Sequence, residues 1–103
     1  MESKYNKLIT VSNPEIVQQN INKYLGIATD LYMSNRKNNK YMVLNPTTNK
    51  MVSFGDIQYL DYTKHLDPIR RENYINRATH LRGNWRNNPY SANNLALYGL
   101  WSY

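Results

Sequence analysis

The stretch of residues 54–71 constrains the fold most strongly, because it combines a turn with the start of a helix. Gly55-Asp56 directly follows the apolar Phe54, and both glycine and aspartate favour turns. Asp67 can offer its carboxylate to the free N–H groups of a first helical turn, and Pro68 suits the first helical position because it has no N–H to satisfy. The stretch therefore predicts a strand that ends near Phe54 and a helix that begins at Asp67.

A first helix is predicted for residues 12–26. Asn13 or Ser12 can cap its start, and Ser12 and Glu15 have the spacing of a capping box, in which each side chain bonds the other residue's N–H. Gly26 favours the left-handed conformation that ends a helix. One face is apolar and is expected to lie in the core. The residues of that face are Val17, Ile21, Tyr24 and Leu25.

Two more helices are predicted in the second half of the chain. The helix that begins at Asp67 is expected to continue to about Arg82, with Gly83 after its end. A shorter helix begins after Ser91, so that residues 91–101 form a short helix and an apolar tail. An apolar tail favours docking, either on the protein's own core or on another chain.

Residues 31–55 have the pattern of a small antiparallel sheet. Residues 41–44 are the clearest strand, residues 45–49 combine proline and asparagine in a turn, and residues 51–54 form the returning strand. Residues 31–33 indicate a third, short strand. An isolated hairpin is only marginally stable in water, so a helix is expected against one face of this β-meander.

The N-terminal residues 1–11 are interpreted as a leader that ends in a short strand at residues 8–11. With 103 residues, the chain is expected to form one small domain. The predicted class is α+β, with an N-terminal helix, a small antiparallel β-meander, and then a long and a short C-terminal helix.

Charge and composition limit the classes of partner. The net charge of +6 favours acidic partners such as nucleic acid, anionic membranes or acidic proteins, while a basic face that contacts only solvent is the alternative. Ten tyrosines against one phenylalanine suit interfaces, because tyrosine buries its ring and keeps a hydroxyl for a partner. The sequence has no cysteine, no apolar run of membrane-spanning length and no signal-peptide pattern, so we expect an intracellular protein.

Two arginines of the second helix fall close to its apolar face. On a helical wheel these are Arg71 and Arg82, and a guanidinium in such a place has to find an acceptor or extend to solvent. Asp56 and Asp61 lie just upstream of this helix. We therefore expect a structural ion pair between Arg71 and one of these two carboxylates.

Other basic residues are expected to face outward and to form a binding surface. Arg70 and Arg77 lie two helical turns apart on the polar side, near Asn73 and His80. Basic side chains grip phosphates and aromatic rings stack on bases, which indicates nucleic acid, although an acidic protein surface is also compatible. The predicted set is Lys64, Arg70, Arg77, Arg86, Arg36, Lys37, Tyr62 and Trp85.

The sequence carries no recognisable catalytic motif. It has no glycine-rich phosphate loop, no nucleophile elbow and no paired Glu/His motif. His65 and His80 are the only histidines, and Asp61 and His65 both precede the predicted helix, so they do not make a metal site of familiar spacing. We predict a protein that is not an enzyme and that has no metal and no cofactor, with His65 as a hydrogen-bonding residue at a turn.

Several stretches together resemble one family of small uncharacterised proteins from nucleocytoplasmic large DNA viruses, the giant viruses. The resemblance covers about residues 31–101 and is most specific between residues 54 and 74. The central strand is often strongly basic in the family. This chain has only Lys40 before Tyr41 at that place. The matching stretches are Leu31-Tyr32-x-Ser34-x-Arg36-Lys37, Lys40-Tyr41-Met42-Val43, Phe54-Gly55-Asp56, Asp61-Tyr62-Thr63-Lys64-His65-x-Asp67-x-x-Arg70-Arg71-x-x-Tyr74, Asn84-Trp85, Pro89-Tyr90-Ser91 and Leu100-Trp101.

The resemblance implies a viral source and leaves the activity open. Small basic proteins of such viruses are commonly virion components. We therefore predict a non-enzymatic virion component, such as a minor capsid or capsid-associated protein, that docks on other virion proteins through its basic helix face and aromatic C-terminus. The alternative is a sequence-nonspecific nucleic-acid-binding protein that accompanies the viral genome as DNA or RNA. The expected location is the virion, and the host cytoplasm or nucleus during assembly, with self-association left open.

Overall fold

The computed structural model describes residues 2–103, and it has five α-helices and one three-stranded sheet within them. Met1, the first residue of the predicted leader, lies outside the described residues. In chain order the elements are α1 (Lys4–Val11), α2 (Pro14–Leu25), β1 (Tyr32–Met33), β2 (Asn39–Asn45), β3 (Lys50–Asp56), α3 (Tyr62–His65), α4 (Pro68–Thr79), a 3-10 turn (Trp85–Asn87) and α5 (Ala92–Leu100).

The sheet is an antiparallel meander of strand order β1-β2-β3, as the sequence predicts. Tyr41 of β2 lies opposite Phe54 of β3, and both side chains are buried with ring centroids 5.9 Å apart. Three pairs further along, Leu44 lies opposite Met51, and both are exposed. Because successive residues of a strand face opposite sides, one face of the sheet enters the core and the other meets solvent.

Helix α5 lies at the centre of the fold and packs against α2 and β3. Ser91 caps its start by accepting a hydrogen bond from the Asn94 N–H. Its residues 94–97 and 99–100 are buried, and Gly99 leaves room for Ile21 of α2, whose Cδ1 would lie only 2.8 Å from a Cβ at that position. The apolar tail continues this packing, since Trp101 is only 8% exposed. The tail therefore docks on the protein's own core.

The N-terminal segment is a helix, so the predicted leader with a strand at residues 8–11 is wrong. Ser3 caps α1 by accepting a hydrogen bond from the Asn6 N–H. Leu8 and Val11, three residues apart, fall on one helical face, and both are buried in the core. The β-branched residues of this stretch favour a strand, but burial of that face outweighs the local preference.

Helix α2 begins at the predicted position but is capped differently. Asn13 accepts hydrogen bonds from the N–H groups of Glu15 and Ile16, and Gly26 ends the helix with a φ of 73°. The predicted capping box is wrong, because the hydroxyl of Ser12 is buried and bonds other side chains, described below. The cap residue is therefore Asn13 alone.

Helix α4 begins after Asp67, whose carboxylate accepts from the next free N–H groups, and it ends at Thr79 instead of at Arg82. Side chains take the carbonyls of its last turn: Thr79 Oγ1 donates to one and His80 Nδ1 to another. Arg82 lies beyond the helix and is exposed, so its predicted position near an apolar face is wrong. The predicted α+β class and element order are confirmed.

Candidate functional site

A groove of about 890 Å³ runs between α4, the end of the sheet and the end of α5, and we call it the α4 groove. It is open to solvent along one side. Its lining combines cationic, amide and aromatic side chains. The lining residues are Lys40, Gly55, Asp56, Tyr59, Leu60, His65, Arg70, Asn73, Tyr74, Asn76, Arg77, Leu100 and Trp101.

Helix α4 supplies the polar wall of the groove. Arg70, Asn73 and Arg77 follow the i, i+3, i+7 spacing that aligns side chains on one helical face, and Asn76 extends this wall. All four side chains are exposed. Among residues 2–103, neither guanidinium has a carboxylate within 4.0 Å. Two cations therefore face the groove with their charge available.

Aromatic rings form the floor and one lip of the groove. Tyr74 stacks on Trp101 with ring centroids 4.2 Å apart and planes 8° apart, and His65 packs on the same indole at 5.3 Å. These rings are occupied by one another. Tyr59, in the loop after β3, is 65% exposed and has no aromatic neighbour within the described chain. Tyr59 is thus the ring at this groove that is open to a ligand.

His65 lines the groove as a neutral ring. Its Nδ1 accepts a hydrogen bond from the Asp67 N–H at 2.9 Å, so in the neutral form the proton is on Nε2. Burial lowers the pKa of His65 from its usual 6.5, and the nearby charge of Arg70 lowers it further. The Nε2 atom is buried without a hydrogen-bond partner. As predicted, His65 is a hydrogen-bonding residue at the turn before α4.

The base of the groove is a buried ion pair that the sequence does not reveal. Lys40 Nζ lies 3.0 Å from Asp61 Oδ2, and the side chains are 2% and 1% exposed. Burial lowers the pKa of Lys40, and the Asp61 carboxylate opposes that shift. Gly55 sits opposite Lys40 with a φ of 83°, and a Cβ there would lie 2.8 Å from Leu100 Cδ1. The part of the protein directly beneath Lys40 and Gly55 is therefore closely packed.

A chain of hydroxyl groups leads to the second oxygen of the Asp61 carboxylate. Tyr41 donates to Ser12 Oγ at 2.7 Å, Ser12 Oγ lies 3.4 Å from Thr63 Oγ1, and Thr63 donates to Asp61 Oδ1. Because Tyr41 supplies a proton to Ser12, every hydroxyl can donate onward toward the carboxylate. Thr63 also accepts from the Asn13 N–H. This buried network joins the N-terminal helices, β2 and α3, and its polar groups are satisfied.

The predicted ion pair of Arg71 with Asp56 or Asp61 is wrong. Arg71 donates from its guanidinium to the carbonyl oxygens of Trp101 and Ser102, each at 2.8 Å, and packs over the Tyr62 ring. Asp61 is occupied by Lys40. Asp56 accepts from the Gln58 N–H at the turn after β3. Arg71 therefore holds the C-terminal tail through carbonyl groups.

The structure brings only Arg70 and Arg77 of the predicted surface into the groove. Lys64 lies on α3 and is exposed outside the groove lining, and Arg36 and Lys37 are exposed in the loop after β1. Tyr62 is half-buried beneath a guanidinium.

The last two predicted residues, Arg86 and Trp85, interact mainly with their own neighbourhood. The Arg86 guanidinium lies 4.4 Å from the Trp85 ring centroid and also donates to the Thr79 carbonyl. Trp85 Nε1 donates to the Leu81 carbonyl at 2.9 Å. These contacts close the end of α4, and they leave less of both side chains for a partner.

Sequence reasoning missed three groove residues: Tyr59, Asn76 and Lys40. The helical spacing from Asn73 could have identified Asn76. Tyr59 stands in a short loop with no repeat to place it, and Lys40 belongs by sequence to a polar, basic stretch directly before the strand predicted at residues 41–44. Their positions depend on the path of the chain after β3.

The described residues hold neither a cluster of metal ligands nor a helix suited to spanning a membrane. Across residues 2–103, no three histidine or carboxylate side chains gather as they would around a metal ion. No helix in this part of the chain has the length and apolar character needed to cross a membrane.

Comparison with known proteins matches part of the chain to a family model. Residues 29–78 match DUF5754, a family of unknown function. The matched stretch runs from just before β1 to the end of α4, so it includes the Lys40–Asp61 pair and the polar wall of the groove. No curated protein and no solved structure matches the chain.

Proposed function

We propose that this protein is a non-enzymatic virion component whose α4 groove holds a segment of single-stranded nucleic acid. The observation that carries the proposal is the pair of exposed guanidinium groups of Arg70 and Arg77, which meet no carboxylate within residues 2–103 and lie on one wall of a groove that also offers an open tyrosine ring.

The spacing of the two arginines suits a nucleic-acid strand. Seven residues of α-helix separate Arg70 from Arg77, which corresponds to about 10 Å along the helix axis. Stacked nucleotides rise about 3.4 Å each, so the two guanidinium groups would meet phosphates about three nucleotides apart. Between them, the amides of Asn73 and Asn76 can donate to and accept from base edges.

The open ring favours a single strand over a duplex. Tyr59 can stack on a base only if that base is unpaired and turned outward. Such stacking tolerates any base, because every base has a flat face, so the expected binding has little sequence preference. Duplex DNA would offer the two arginines its phosphates but would leave Tyr59 without a role.

The virion assignment is supported by the resemblance to giant-virus proteins described above and by the basic net charge. Docking on other virion proteins stood first on sequence grounds, partly because of the aromatic C-terminus. Leu100 and Trp101 are buried in the protein's own core, which removes that support. We therefore place nucleic acid first, and we treat an acidic virion protein as the competing partner.

The direct test is binding of a fluorescein-labelled oligothymidylate by fluorescence anisotropy at several salt concentrations. We expect affinity to fall as salt rises from about 50 to 200 mM, because binding releases counterions. The double variant R70A/R77A should bind at least about tenfold more weakly, and its log–log salt slope should be shallower by about 1.4, since about 0.7 is lost per single-strand phosphate contact.

Arg82→Ala is the matched control, because Arg82 is exposed but does not line the groove. It should bind nearly as the wild type does. Absence of binding at low salt, or equal losses in R82A and R70A/R77A, would overturn the proposal. If a poly-glutamate peptide bound in the groove and the oligonucleotide did not, the partner would be an acidic protein. In purified particles, we expect the protein to leave with the released genome and not with empty shells.

A further inference from the structure

A second, smaller concavity of about 330 Å³ is lined in part by the last residues of the C-terminal tail, and we call it the tyrosine pocket. This volume is at the lower end of the range of small-molecule sites. Its lining residues are Asn20, Lys23, Tyr24, Tyr98, Ser102 and Tyr103. None of them lines the α4 groove.

Three aromatic rings shape the tyrosine pocket. Tyr24 and Tyr98 stack with centroids 4.2 Å apart and planes 12° apart, and Tyr103 approaches Tyr98 at 5.3 Å with a tilt of 54°. Tyr24 is fixed, because its hydroxyl donates to the Pro89 carbonyl at 2.7 Å. Burial raises the pKa of Tyr24 to about 12, so this hydroxyl stays protonated and continues to donate. Tyr103 is 52% exposed and can receive a further flat ring.

Polar groups beside these rings suit a nucleotide. The side-chain nitrogen of Asn20 donates to the Gly99 carbonyl and to Ser102 Oγ, which orients the amide and leaves its oxygen as an acceptor for a base. Lys23 is exposed and has no carboxylate within 4.0 Å among the described residues. Its ammonium group can therefore meet a phosphate.

The tyrosine pocket and the α4 groove are lined by consecutive residues of the C-terminal tail. Trp101 lines the groove, and the next two residues, Ser102 and Tyr103, line the pocket. Consecutive Cα atoms are about 3.8 Å apart, so a strand leaving the groove at this end needs few nucleotides to reach the pocket. Arg71 holds the tail in place through the Trp101 and Ser102 carbonyls. The tail segment that lines both sites is therefore anchored to α4.

We propose that the tyrosine pocket stacks a base of the same single strand that occupies the α4 groove, with Tyr103 as the stacking ring and Lys23 on the adjoining phosphate. This inference rests on the proposed function and extends its footprint beyond the groove. It requires that binding strengthen when the strand becomes long enough to reach the second site.

The test compares labelled oligothymidylates of about 4 and about 12 nucleotides, both within the usual range of single-strand site sizes. Tyr103→Ala should leave affinity for the short strand unchanged and weaken binding of the long strand about tenfold, as expected for one lost stacking contact. Tyr103→Phe keeps the ring and should bind as the wild type does. Tyr32→Ala is the matched control, since Tyr32 is an exposed tyrosine on β1, outside both sites.

The two proposals fail in different ways. If R70A/R77A weakens binding while Y103A binds every length as the wild type does, the groove stands and the pocket inference is overturned. If Y103A weakens binding while R70A/R77A does not, the groove proposal fails, and the claim that one strand spans both sites fails with it, although Tyr103 still contacts the nucleic acid. If Y103F loses as much as Y103A, the hydroxyl and not the stacked ring is responsible, which contradicts the inference. If no strand of either length binds, both proposals fall.

Discussion

The α4 groove is lined by basic side chains of two kinds, which differ in whether they are buried and paired with a carboxylate. Lys40 is buried and bonded to Asp61, whereas Arg70 and Arg77 are exposed and face no carboxylate in the described part of the chain. All three are long cationic residues in the same neighbourhood. The comparison teaches that a basic composition does not identify the cations available to a partner, because the path of the backbone decides which ones the fold uses.

The buried Lys40–Asp61 pair makes the stability of the fold depend on both of its partners. Two charges removed from water attract one another strongly, but each has also lost its hydration, so the pair is stable only while both partners are present. The hydroxyl chain from Tyr41 to Thr63 supplies the remaining hydrogen bonds of the Asp61 carboxylate. Removing the exposed Arg70 or Arg77 leaves no buried charge without a partner, so the stability of the fold should depend little on them.

The largest expected effect is that of Asp61→Asn on stability. Asparagine keeps an oxygen that can cap α3 through the Thr63 N–H, but it leaves the Lys40 ammonium buried without a counter-charge. We expect the free energy of unfolding in urea to fall by about 3–5 kcal/mol. A loss below about 1 kcal/mol, the range of exposed pairs, would mean that the pair is not buried in solution.

The double variant K40M/D61N is the control for that prediction. It removes both charges and should recover a large part of the loss, because no unpaired charge then remains in the core. The single variant Lys40→Met completes the cycle. If the losses of stability in Lys40→Met and Asp61→Asn simply added in the double variant, the pair would not be coupled and the assigned partner of Lys40 would be wrong.

The comparison also explains how far the sequence could be read. Start and stop residues act locally, so Asn13, Asp67 and Ser91 placed the helix starts, and Pro-Asn chemistry placed the β2–β3 turn. The groove arginines on α4 also followed from helical spacing, because Arg70 and Arg77 need no information beyond their own helix.

The Lys40–Asp61 pair could not be read in the same way. Its partners are 21 residues apart, and their meeting depends on how the loop after β3 folds back under the sheet. Arg71 was nearer in sequence to Asp61, but its guanidinium is drawn to carbonyls of the tail, 30 and 31 residues away. For the same reason, the role of Ser12 in the network was hidden behind a plausible local capping box.

The next largest expected effect is on stability, and it distinguishes Arg71 from its neighbour Arg70. Arg71→Ala removes two charge-assisted hydrogen bonds to the tail carbonyls, and we expect it to lower the free energy of unfolding by about 1.5–3 kcal/mol in urea. Arg71→Lys should recover only part of this loss, because one ammonium group does not reproduce the forked guanidinium geometry. An Arg71→Ala protein as stable as the wild type would show that the tail is held by packing alone.

Arg70→Ala should give the opposite result. Its side chain is exposed and makes no hydrogen bond or ion pair from its guanidinium within residues 2–103, so the free energy of unfolding should change by no more than about 0.5 kcal/mol. Oligonucleotide binding should weaken, measured in the same anisotropy titration. The comparison breaks if Arg70→Ala costs more stability than Arg71→Ala, because the exposed arginine would then be the structural one.

The smallest expected effect concerns His65, whose pKa responds to both the exposed Arg70 and the buried Lys40. Burial first, and then the positive charge of Arg70, lower the pKa of His65 below 6.5 in the folded protein. The unfolded chain then binds more protons than the folded chain as pH falls below 6.5, so stability should decrease in that direction and be fully present above it. Protonation of Nδ1 would also break the hydrogen bond from the Asp67 N–H.

The pH effect can be checked by NMR titration of the His65 ring together with urea unfolding at about pH 7.5 and 5.5, on either side of the usual histidine value. Arg70→Ala removes one cause of the depression, so the His65 pKa should rise toward 6.5 and the stability lost at acid pH should shrink. His65→Gln reports the acid dependence that comes from other groups. If Arg70→Ala left the His65 pKa unchanged, Arg70 would not contribute to lowering it, and this exposed arginine would be electrostatically separate from the core beside it.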